Sequence, residues 1–270
     1  MPLNLSGATR LHIIVGDPIA QVRSPGGMTA AYAARGVDAV VVPVQVAVAD
    51  LGAFLASADK IKNLDCIMVT VPHKFSCFQH CATTTKRAQI LGAVNLMRRR
   101  ANGSWHGDMV DGEGFFQAAI NQGFKPRAKR ALLVGAGGAG SAIALELIDQ
   151  GVAELAIHDG DEARRDALIA RLQGRNSCKV IAGSDDPSGF DFIANATPSG
   201  MKPSDALPIL VHRLRKDMFV GCVITKPKIT PLIAAARALG CKTSTGDDMY
   251  EASQKAMVDF LLFKETNQLA

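Results

Sequence analysis

The fold is decided by residues 132–143, which read Leu132-Leu133-Val134-Gly135-Ala136-Gly137-Gly138-Ala139-Gly140-Ser141-Ala142-Ile143. An apolar run enters the pattern G-x-G-x-x-G and continues directly into a run with helical periodicity, so the glycines are expected at a strand-to-helix turn. In that setting Gly135 permits the tight turn, Gly137 lets the backbone approach a diphosphate, and Gly140 lets helix and strand pack closely. The stretch predicts a dinucleotide held at a helix N-terminus. The loop residues expected at this dinucleotide are Gly135, Gly137, Gly138, Ala139 and Gly140.

A second apolar run, residues 154–158, ends at Asp159, which lies 19 residues after Gly140. At about 20 residues after the glycines the Rossmann pattern places an acid that binds the adenine ribose. A carboxylate there repels a 2′-phosphate, so we expect NAD in preference to NADP, although Arg164 and Arg165 are near enough in sequence to bind a phosphate. The alternative interpretation of Asp159 is an ordinary turn or cap residue before the next helix.

Composition narrows the class of protein. With 270 residues, 48% of them hydrophobic and 20% charged, the chain has room for two α/β domains with buried cores. No apolar run approaches the ~18 residues of a membrane span, and the N-terminus lacks the basic and apolar regions of a secretory signal. The formal charge of +5 is spread along the chain and aromatic residues make up 5%, which argues against a nucleic-acid-binding surface. We therefore expect a cytoplasmic protein with no nucleic-acid or membrane partner.

The six cysteines contain no C-x-x-C pair and lie mostly in apolar segments, as reduced buried thiols do. On a helix, His73, Cys77, His80 and Cys81 would share one face, which resembles a set of metal ligands. No second pair elsewhere completes a zinc pattern. A partly buried helix face is therefore the preferred interpretation, and no metal is expected.

Strand-like and helix-like runs alternate along the first part of the chain. Apolar runs at 11–15, 39–44 and 66–71 are each followed by a helix-like run. Such alternation predicts a mainly parallel sheet, which binds ligands at the carboxyl ends of its strands. A hairpin-like passage follows at 93–105. Later strands are expected at 178–182, 190–195, 218–224 and 241–245.

The pattern predicts an α/β fold with two domains. Residues 1–112 and 247–270 would form a mainly parallel substrate domain, and residues 113–246 would form the Rossmann NAD-binding domain. The last helix-like run, residues 249–263, would cross back to cover the first domain.

Two residues near predicted strand ends could carry chemistry. Lys74 closes the sequence Val69-Thr70-Val71-Pro72-His73-Lys74, and Asp111 lies in a glycine-rich turn at the predicted domain boundary. An alcohol that is oxidised by hydride transfer must lose its hydroxyl proton, which a lysine amine can accept and a carboxylate can help to orient. Taken alone, Lys74 is equally an ordinary surface lysine at the start of a helix.

Short motifs along nearly the whole chain resemble, in their order, those of the shikimate/quinate dehydrogenase family. They are Gly16-Asp17-Pro18-Ile19-Ala20 with Ser24-Pro25, the lysine motif above, Gly92-Ala93-Val94-Asn95, Asp111-Gly112, Asn195-Ala196-Thr197-Pro198-Ser199-Gly200-Met201, and Pro227 with Thr230-Pro231-Leu232. The resemblance implies hydride transfer between a nicotinamide cofactor and a cyclic hydroxy acid, with Lys74 and Asp111 as the catalytic pair. It also implies substrate contacts from Ser24, Thr70, Asn95 and Gln254, and cofactor contacts from Asn195, Thr197 and Pro198.

The chain departs from the family pattern at several positions that are usually polar. Val22 stands where the family usually has a hydroxyl that binds the substrate carboxylate, and a hydrogen bond left unmade costs about 1 kcal/mol or more. Gln254 lies one residue further from Met249 than in the family, a rotation of about 100° on a helix. Asp159, by contrast, agrees with the acid of NAD-using relatives. The other departures are Met68, Met109, Val110 and Thr225.

The leading hypothesis is an NAD-dependent dehydrogenase that interconverts quinate, shikimate or a close analogue and its 3-keto form. Two alternatives stay open: a related enzyme that acts on a less polar alcohol, and a non-catalytic regulatory protein that binds the dinucleotide. The substrate partner is a small molecule in the first two cases, and the protein could be a monomer or a homodimer.

Overall fold

The computed structural model describes residues 5–263 of a chain that divides into two compact units. The first unit comprises Met1–Val110 and Gln254–Ala270, and the second comprises Asp111–Ser253. Residues 111–112 and 247–253, which the sequence assigned to the substrate domain, therefore belong to the second unit. Residues 1–4 and 264–270 of that predicted domain lie outside the described residues.

The first unit is built on a mainly parallel sheet, which confirms the predicted fold class. Its strands are β1 (Arg10–Gly16), β2 (Ala39–Gln45), β3 (Leu64–Val69), β4 (Thr83–Thr84), β5 (Leu96–Arg99) and β6 (Trp105–Asp108). They lie in the order β2-β1-β3-β5-β6-β4, and β5 runs antiparallel to both of its neighbours. The carboxyl ends of β1, β2 and β3 consequently meet at one edge of the sheet.

Helices follow the parallel strands of the first unit. They are α1 (Ser24–Ala33), α2 (Leu51–Ala58), α3 (Lys74–His80) and α4 (Lys86–Leu91). Helix α1 begins at Ser24, and Pro25 suits its first turn because proline lacks only an N–H that the helix does not use there. Helix α4 was not predicted, although Thr85 caps it by accepting from the Ala88 N–H.

An arginine joins the hairpin of the first unit to the end of α2. The Arg99 guanidinium donates to the main-chain oxygens of Leu64 at 2.8 Å and Ala58 at 2.8 Å. It also lies over the ring of Trp105, 4.4 Å from the ring centre. Arg99, the last residue of β5, thus has a structural role, because carbonyls left open at the end of a helix need donors.

The second unit contains, within the described residues, a six-stranded parallel sheet. Its strands are β7 (Arg130–Val134), β8 (Glu154–His158), β9 (Lys179–Ala182), β10 (Phe192–Asn195), β11 (Phe219–Cys222) and β12 (Lys242–Ser244). Their order is β12-β11-β10-β7-β8-β9, which is the strand order of a Rossmann sheet. The order in which successive strands are added reverses between β7 and β10. The glycine-rich stretch after β7 therefore lies at the edge of the sheet where ligands bind in this fold.

Five further α-helices follow along the described part of the chain: α5 (Asp111–Asn121), α6 (Gly138–Asp149), α7 (Glu162–Leu172), α8 (Pro231–Ala238) and α9 (Gly246–Leu261). Helix α9 begins before the predicted residue because Thr245 and Asp248 cap it reciprocally, with the Thr245 N–H bonded to Asp248 and the Asp248 N–H bonded to Thr245. Its first half belongs to the second unit and its second half to the first. Among the described helices, none has the length and apolar character to cross a membrane.

Candidate active site

The turn after β3 carries the predicted catalytic lysine. Thr70 donates its N–H to the Val15 oxygen at 2.9 Å, and Asp17 donates its N–H to the Val71 oxygen at 2.9 Å. These bonds fold the turn over the carboxyl end of β1. A Cβ on Gly16 would overlap the Thr70 side chain, so only glycine permits this approach. Lys74 then begins α3 and is partly exposed.

Main-chain hydrogen bonds bring Thr70, Lys74 and Asn95 together within the first unit. The Val94 N–H donates to the Lys74 oxygen at 3.0 Å, and the Val69 N–H donates to the Asn95 oxygen at 2.8 Å. The Asn95 side-chain oxygen accepts from the Val110 N–H at 3.0 Å. Asn95 therefore has a structural contact in addition to its predicted role at the substrate.

An ion pair that the sequence did not reveal holds the segment just before Asp111. Asp108 is 3% exposed and accepts two bonds from Arg87, at 2.8 and 2.6 Å, and a further bond from Thr85. Burial alone would raise the pKa of Asp108, but the bonds from Arg87 and Thr85 outweigh burial and hold that pKa below its usual value. The pair thus keeps a charge inside the first unit, where an unpaired carboxylate would be costly.

The other two predicted substrate residues lie around the start of α1. Ser24 is the first residue of the helix and is buried. Gln254 donates its side-chain N–H to the Gly27 oxygen at 3.1 Å, so its amide nitrogen holds α9 against α1. Val22 is half-buried in the loop before the helix, whereas Met68, Met109 and Val110 are buried. Of these apolar replacements, Val22 alone keeps a partly exposed side chain.

The glycine-rich loop has the geometry that its sequence predicts. Gly135 has a φ of +103°, which a residue with a side chain rarely adopts. A Cβ on Gly140 would overlap the Gly135 oxygen, whereas a Cβ on Gly137 would meet nothing within 4 Å. The loop is therefore closed on the helix side and open on the side where a diphosphate would approach, at the N-terminus of α6.

Asp159 lies beside this loop, but its carboxylate is already bonded within the protein. It is 7% exposed and accepts from the Ala136 N–H at 2.6 Å, the Asp161 N–H at 2.8 Å and the Arg164 guanidinium at 2.6 Å. Burial would raise the pKa of Asp159, but these hydrogen bonds hold it below its usual value. The helix cap that the alternative interpretation gave to Asp159 is supplied instead by Asp161, which accepts from the Arg164 N–H. Arg165 pairs with Glu162 and Asp166.

The loop after β10 carries the other predicted cofactor residues, and Asn195 organises it from inside. Asn195 is fully buried, and its side-chain oxygen accepts from the Thr197 hydroxyl at 2.7 Å and the Thr197 N–H at 3.1 Å. Asp205, which the sequence did not single out, accepts from the N–H groups of Gly200 and Lys202. Thr197 and Pro198 are thus held between two polar anchors, and Asn195 would act on a cofactor through them.

Asp111 is the first residue of α5 and belongs to the second unit. Lys74 belongs to the first, so the predicted catalytic pair is divided between the units. The neighbouring Gly112 allows a close crossing of α5 and α6, because a Cβ there would overlap the Ala142 oxygen.

The histidines in and beside α3 contact different partners. His73 contacts the Val46 oxygen at 2.7 Å, and His80 contacts Asp59 at 3.0 Å. Burial raises the pKa of Cys77 and of Cys81 to about 12. Within the part of the chain that the structure describes, no three His, Cys, Asp or Glu residues are grouped to hold a metal ion.

The Rossmann order of the second sheet and its glycine-rich loop define the class: an α/β protein with a nucleotide-binding type of domain joined to a second α/β unit. The family model of the shikimate dehydrogenase substrate binding domain matches residues 14–97. The shikimate dehydrogenase (NADP(+)) of Rubrobacter xylanophilus is 33% identical over 250 residues, which cover 91% of this chain and 88% of the relative. The chain belongs to the shikimate/quinate dehydrogenase family.

Solved structures agree with this membership. The quinate dehydrogenase from Corynebacterium glutamicum in complex with NAD has a TM-score of 0.82 at 29% identity, covering 94% of each chain. The ligand-free 5-ketofructose reductase of Gluconobacter sp. strain CHM43 has a TM-score of 0.80 at 28% identity, covering 94% of this chain and 93% of the other. Relatives with different names therefore share this fold.

Proposed function

We propose that the protein is a nicotinamide-dependent dehydrogenase that interconverts a cyclic hydroxy acid, such as quinate or shikimate, and its 3-keto form. The observation that carries the proposal is the cluster of Thr70, Lys74 and Asn95 at the carboxyl end of the first sheet. An amine beside hydrogen-bonding groups suits an alcohol that must lose a proton. The names of the Rubrobacter and Corynebacterium relatives support this reaction class.

The residues of the second unit fit a dinucleotide. The open side of Gly137 and the N-terminus of α6 would hold its diphosphate, and Asp159 would lie near its adenine ribose. When bound, the cofactor supplies the hydride acceptor. In the oxidative direction Lys74 Nζ takes the hydroxyl proton as the C–H hydrogen leaves as hydride and the C=O bond forms. Asp111 is the second catalytic residue of this proposal, and Thr70, Asn95 and Ser24 bind the polar groups of the substrate.

NAD is the cofactor we propose as preferred, with NADP used more weakly. The Asp159 carboxylate would repel a 2′-phosphate, but its ion pair with Arg164 offsets part of that charge. The Rubrobacter relative is named for NADP and the Corynebacterium enzyme was solved with NAD, so both cofactors occur among relatives. We also propose a cytoplasmic location. The six cysteines are free thiols, and the cytosol keeps thiols reduced.

The deciding experiment measures cofactor reduction by absorbance, with quinate and shikimate each tested against NAD and NADP. Lys74→Ala should lose at least about 100-fold in kcat, because general base catalysis contributes about 10²–10⁴-fold. Lys86→Ala is the matched control, since Lys86 is an exposed lysine that begins α4 as Lys74 begins α3. Full turnover by Lys74→Ala would refute the proposed chemistry. Cofactor binding without turnover of any alcohol would favour the regulatory alternative.

A second candidate function is reduction of an uncharged keto sugar. The half-buried Val22 offers no hydrogen bond to a carboxylate, and the 5-ketofructose reductase resembles this chain over most of its length. The same assay therefore includes 5-ketofructose with NADH and NADPH, and a less polar cyclic alcohol with NAD and NADP. Turnover of the keto sugar without turnover of quinate or shikimate would support this candidate. Turnover of the less polar alcohol alone would support the alternative of a related enzyme that acts on such an alcohol.

A further inference from the structure

His73 immediately precedes the proposed catalytic lysine and is buried, with 1% of its surface exposed. Its Nε2 lies 2.7 Å from the main-chain oxygen of Val46, which is also buried. A carbonyl oxygen only accepts hydrogen bonds, so Nε2 carries the proton and donates it. The imidazole is therefore held in one orientation, with its Nε2–H directed at the Val46 oxygen.

This bond joins loops that are not neighbours in the sheet. Val46 follows β2 and His73 follows β3, and β1 lies between these two strands. Adjacent strands are about 4.8 Å apart, so the histidine side chain crosses the end of a whole strand to reach its acceptor. The Val46 N–H donates to the Gly16 oxygen at 3.2 Å, which ties the same loop to β1. The ends of three strands are thus linked beneath the turn that carries Lys74.

We propose that His73 is a positioning residue that holds Lys74 in its reactive orientation through the bond to Val46. The proposal rests on the function proposed for Lys74. The anchors around this lysine include the His73 side chain on the Val46 oxygen, the His73 N–H on the Thr70 oxygen, and the Val94 N–H on the Lys74 oxygen. Among these anchors the imidazole bond is the one that a side-chain substitution can remove.

Two substitutions distinguish the effect of this hydrogen bond from the effect of changing the His73 side chain. The amide nitrogen of glutamine reaches about as far as imidazole Nε2, so His73→Gln can keep the bond to Val46. The amide nitrogen of asparagine falls short of it, so His73→Asn loses the bond while staying polar. His12→Phe is the matched control, because His12 is another buried histidine of the first unit and its bond is to Tyr32.

We expect His73→Asn to lower kcat by about 10- to 100-fold, because a displacement of about 1 Å of a reacting group can cost 10²-fold. The KM for the cofactor should stay unchanged, since the cofactor residues belong to the second unit. His73→Gln should recover most of the lost kcat. His12→Phe should lower stability and leave kcat near the wild-type value.

A second readout needs no substrate. Brief labelling with acetic anhydride, followed by peptide mapping, measures the reactivity of the Lys74 amine in the intact protein. Once its anchor is removed, Lys74 should be labelled faster in His73→Asn than in wild type and His12→Phe, and His73→Gln should restore the wild-type rate. Equal labelling of Lys74 in all four proteins would overturn the proposal.

The two proposals fail in different ways. If Lys74→Ala keeps full turnover, the chemistry assigned to Lys74 is wrong whatever the labelling shows. If Lys74→Ala is inactive while His73→Asn matches wild type in kcat and in Lys74 labelling, only the positioning role is wrong.

Discussion

Asp159 and Arg164 form the ion pair through which the protein would distinguish its two candidate cofactors. The acid is buried and bonded to the glycine-rich loop through the Ala136 N–H, while the arginine side chain is about half exposed. The sequence placed both charges near the adenine ribose but did not show which of two adjacent arginines pairs with the acid. The structure assigns that role to Arg164 and directs Arg165 to Glu162 and Asp166.

Arg164→Ala should therefore weaken NADPH binding about 10-fold or more, with a smaller effect on NADH, because a charge-assisted bond to phosphate is worth about 1.5–3 kcal/mol. Asp159→Asn should shift the preference the other way, towards NADPH, since it removes the repelling charge. Dissociation constants of NADH and NADPH from cofactor fluorescence measure both effects. Arg165→Ala is the adjacent control, and a loss of NADPH binding in that variant alone would assign the phosphate to Arg165.

At the scale of elements, the loop from β10 to residue 205 owes its shape to two side chains. Asn195 anchors one end from inside the second unit, and Asp205 anchors the other through the N–H groups of Gly200 and Lys202. The motif Asn195-Ala196-Thr197-Pro198 predicted that this loop matters, but not that its asparagine is buried. Asp205 had no sequence signal, because the N–H groups that donate to it lie within a loop that follows no helical or strand period.

Asp205→Ala should raise the KM for the cofactor about 10-fold. The substitution removes the acceptor of two N–H groups, and each lost hydrogen bond costs about 1 kcal/mol or more of the free energy that holds the loop in its binding conformation. The thermal midpoint should change little, since Asp205 is only partly buried. Asp186→Ala provides the control: Asp186 likewise accepts from a loop N–H, that of Ser188, but at the amino end of β10. Equal cofactor KM values in both variants would contradict the role of Asp205.

At the scale of the whole molecule, a buried histidine outside the candidate active site makes stability depend on pH. His12 is buried on β1 with its Nδ1 2.9 Å from the Tyr32 hydroxyl oxygen. Burial lowers the pKa of His12 from 6.5 to about 4. Between these values the unfolded chain binds a proton that the folded protein refuses, so the stability that is fully present above pH 6.5 is lost as the pH falls towards 4.

Wild type should lose up to about 3 kcal/mol of unfolding free energy between pH 7 and pH 4 from this group, at 1.36 kcal/mol per pKa unit. Urea unfolding followed by the fluorescence of Trp105, the one tryptophan of the chain, reports on the first unit. His12→Phe should be less stable at pH 7 and should show a correspondingly flatter pH dependence. Parallel pH profiles for the two proteins would assign the acid sensitivity to other groups.

The sequence by itself determined the local features: the strand, glycine loop and helix around Gly135, the alternation of the first unit, and the order of the family motifs. These depend on periodicity and on residue type at fixed spacing, which act over a few neighbouring residues. Short elements such as α4, and the early start of α9, were missed because their capping residues give weak signals among polar loops.

The tertiary structure alone decided which side chains are paired. Asp108 with Arg87, His73 with Val46, and Gln254 with Gly27 join residues far apart in the chain, and no local pattern specifies such partners. A buried polar group must find a partner wherever the fold brings one within reach, so the choice is made by packing and not by spacing. For this reason the sequence predicted Lys74 as a catalytic residue, whereas only the fold shows which residues surround it.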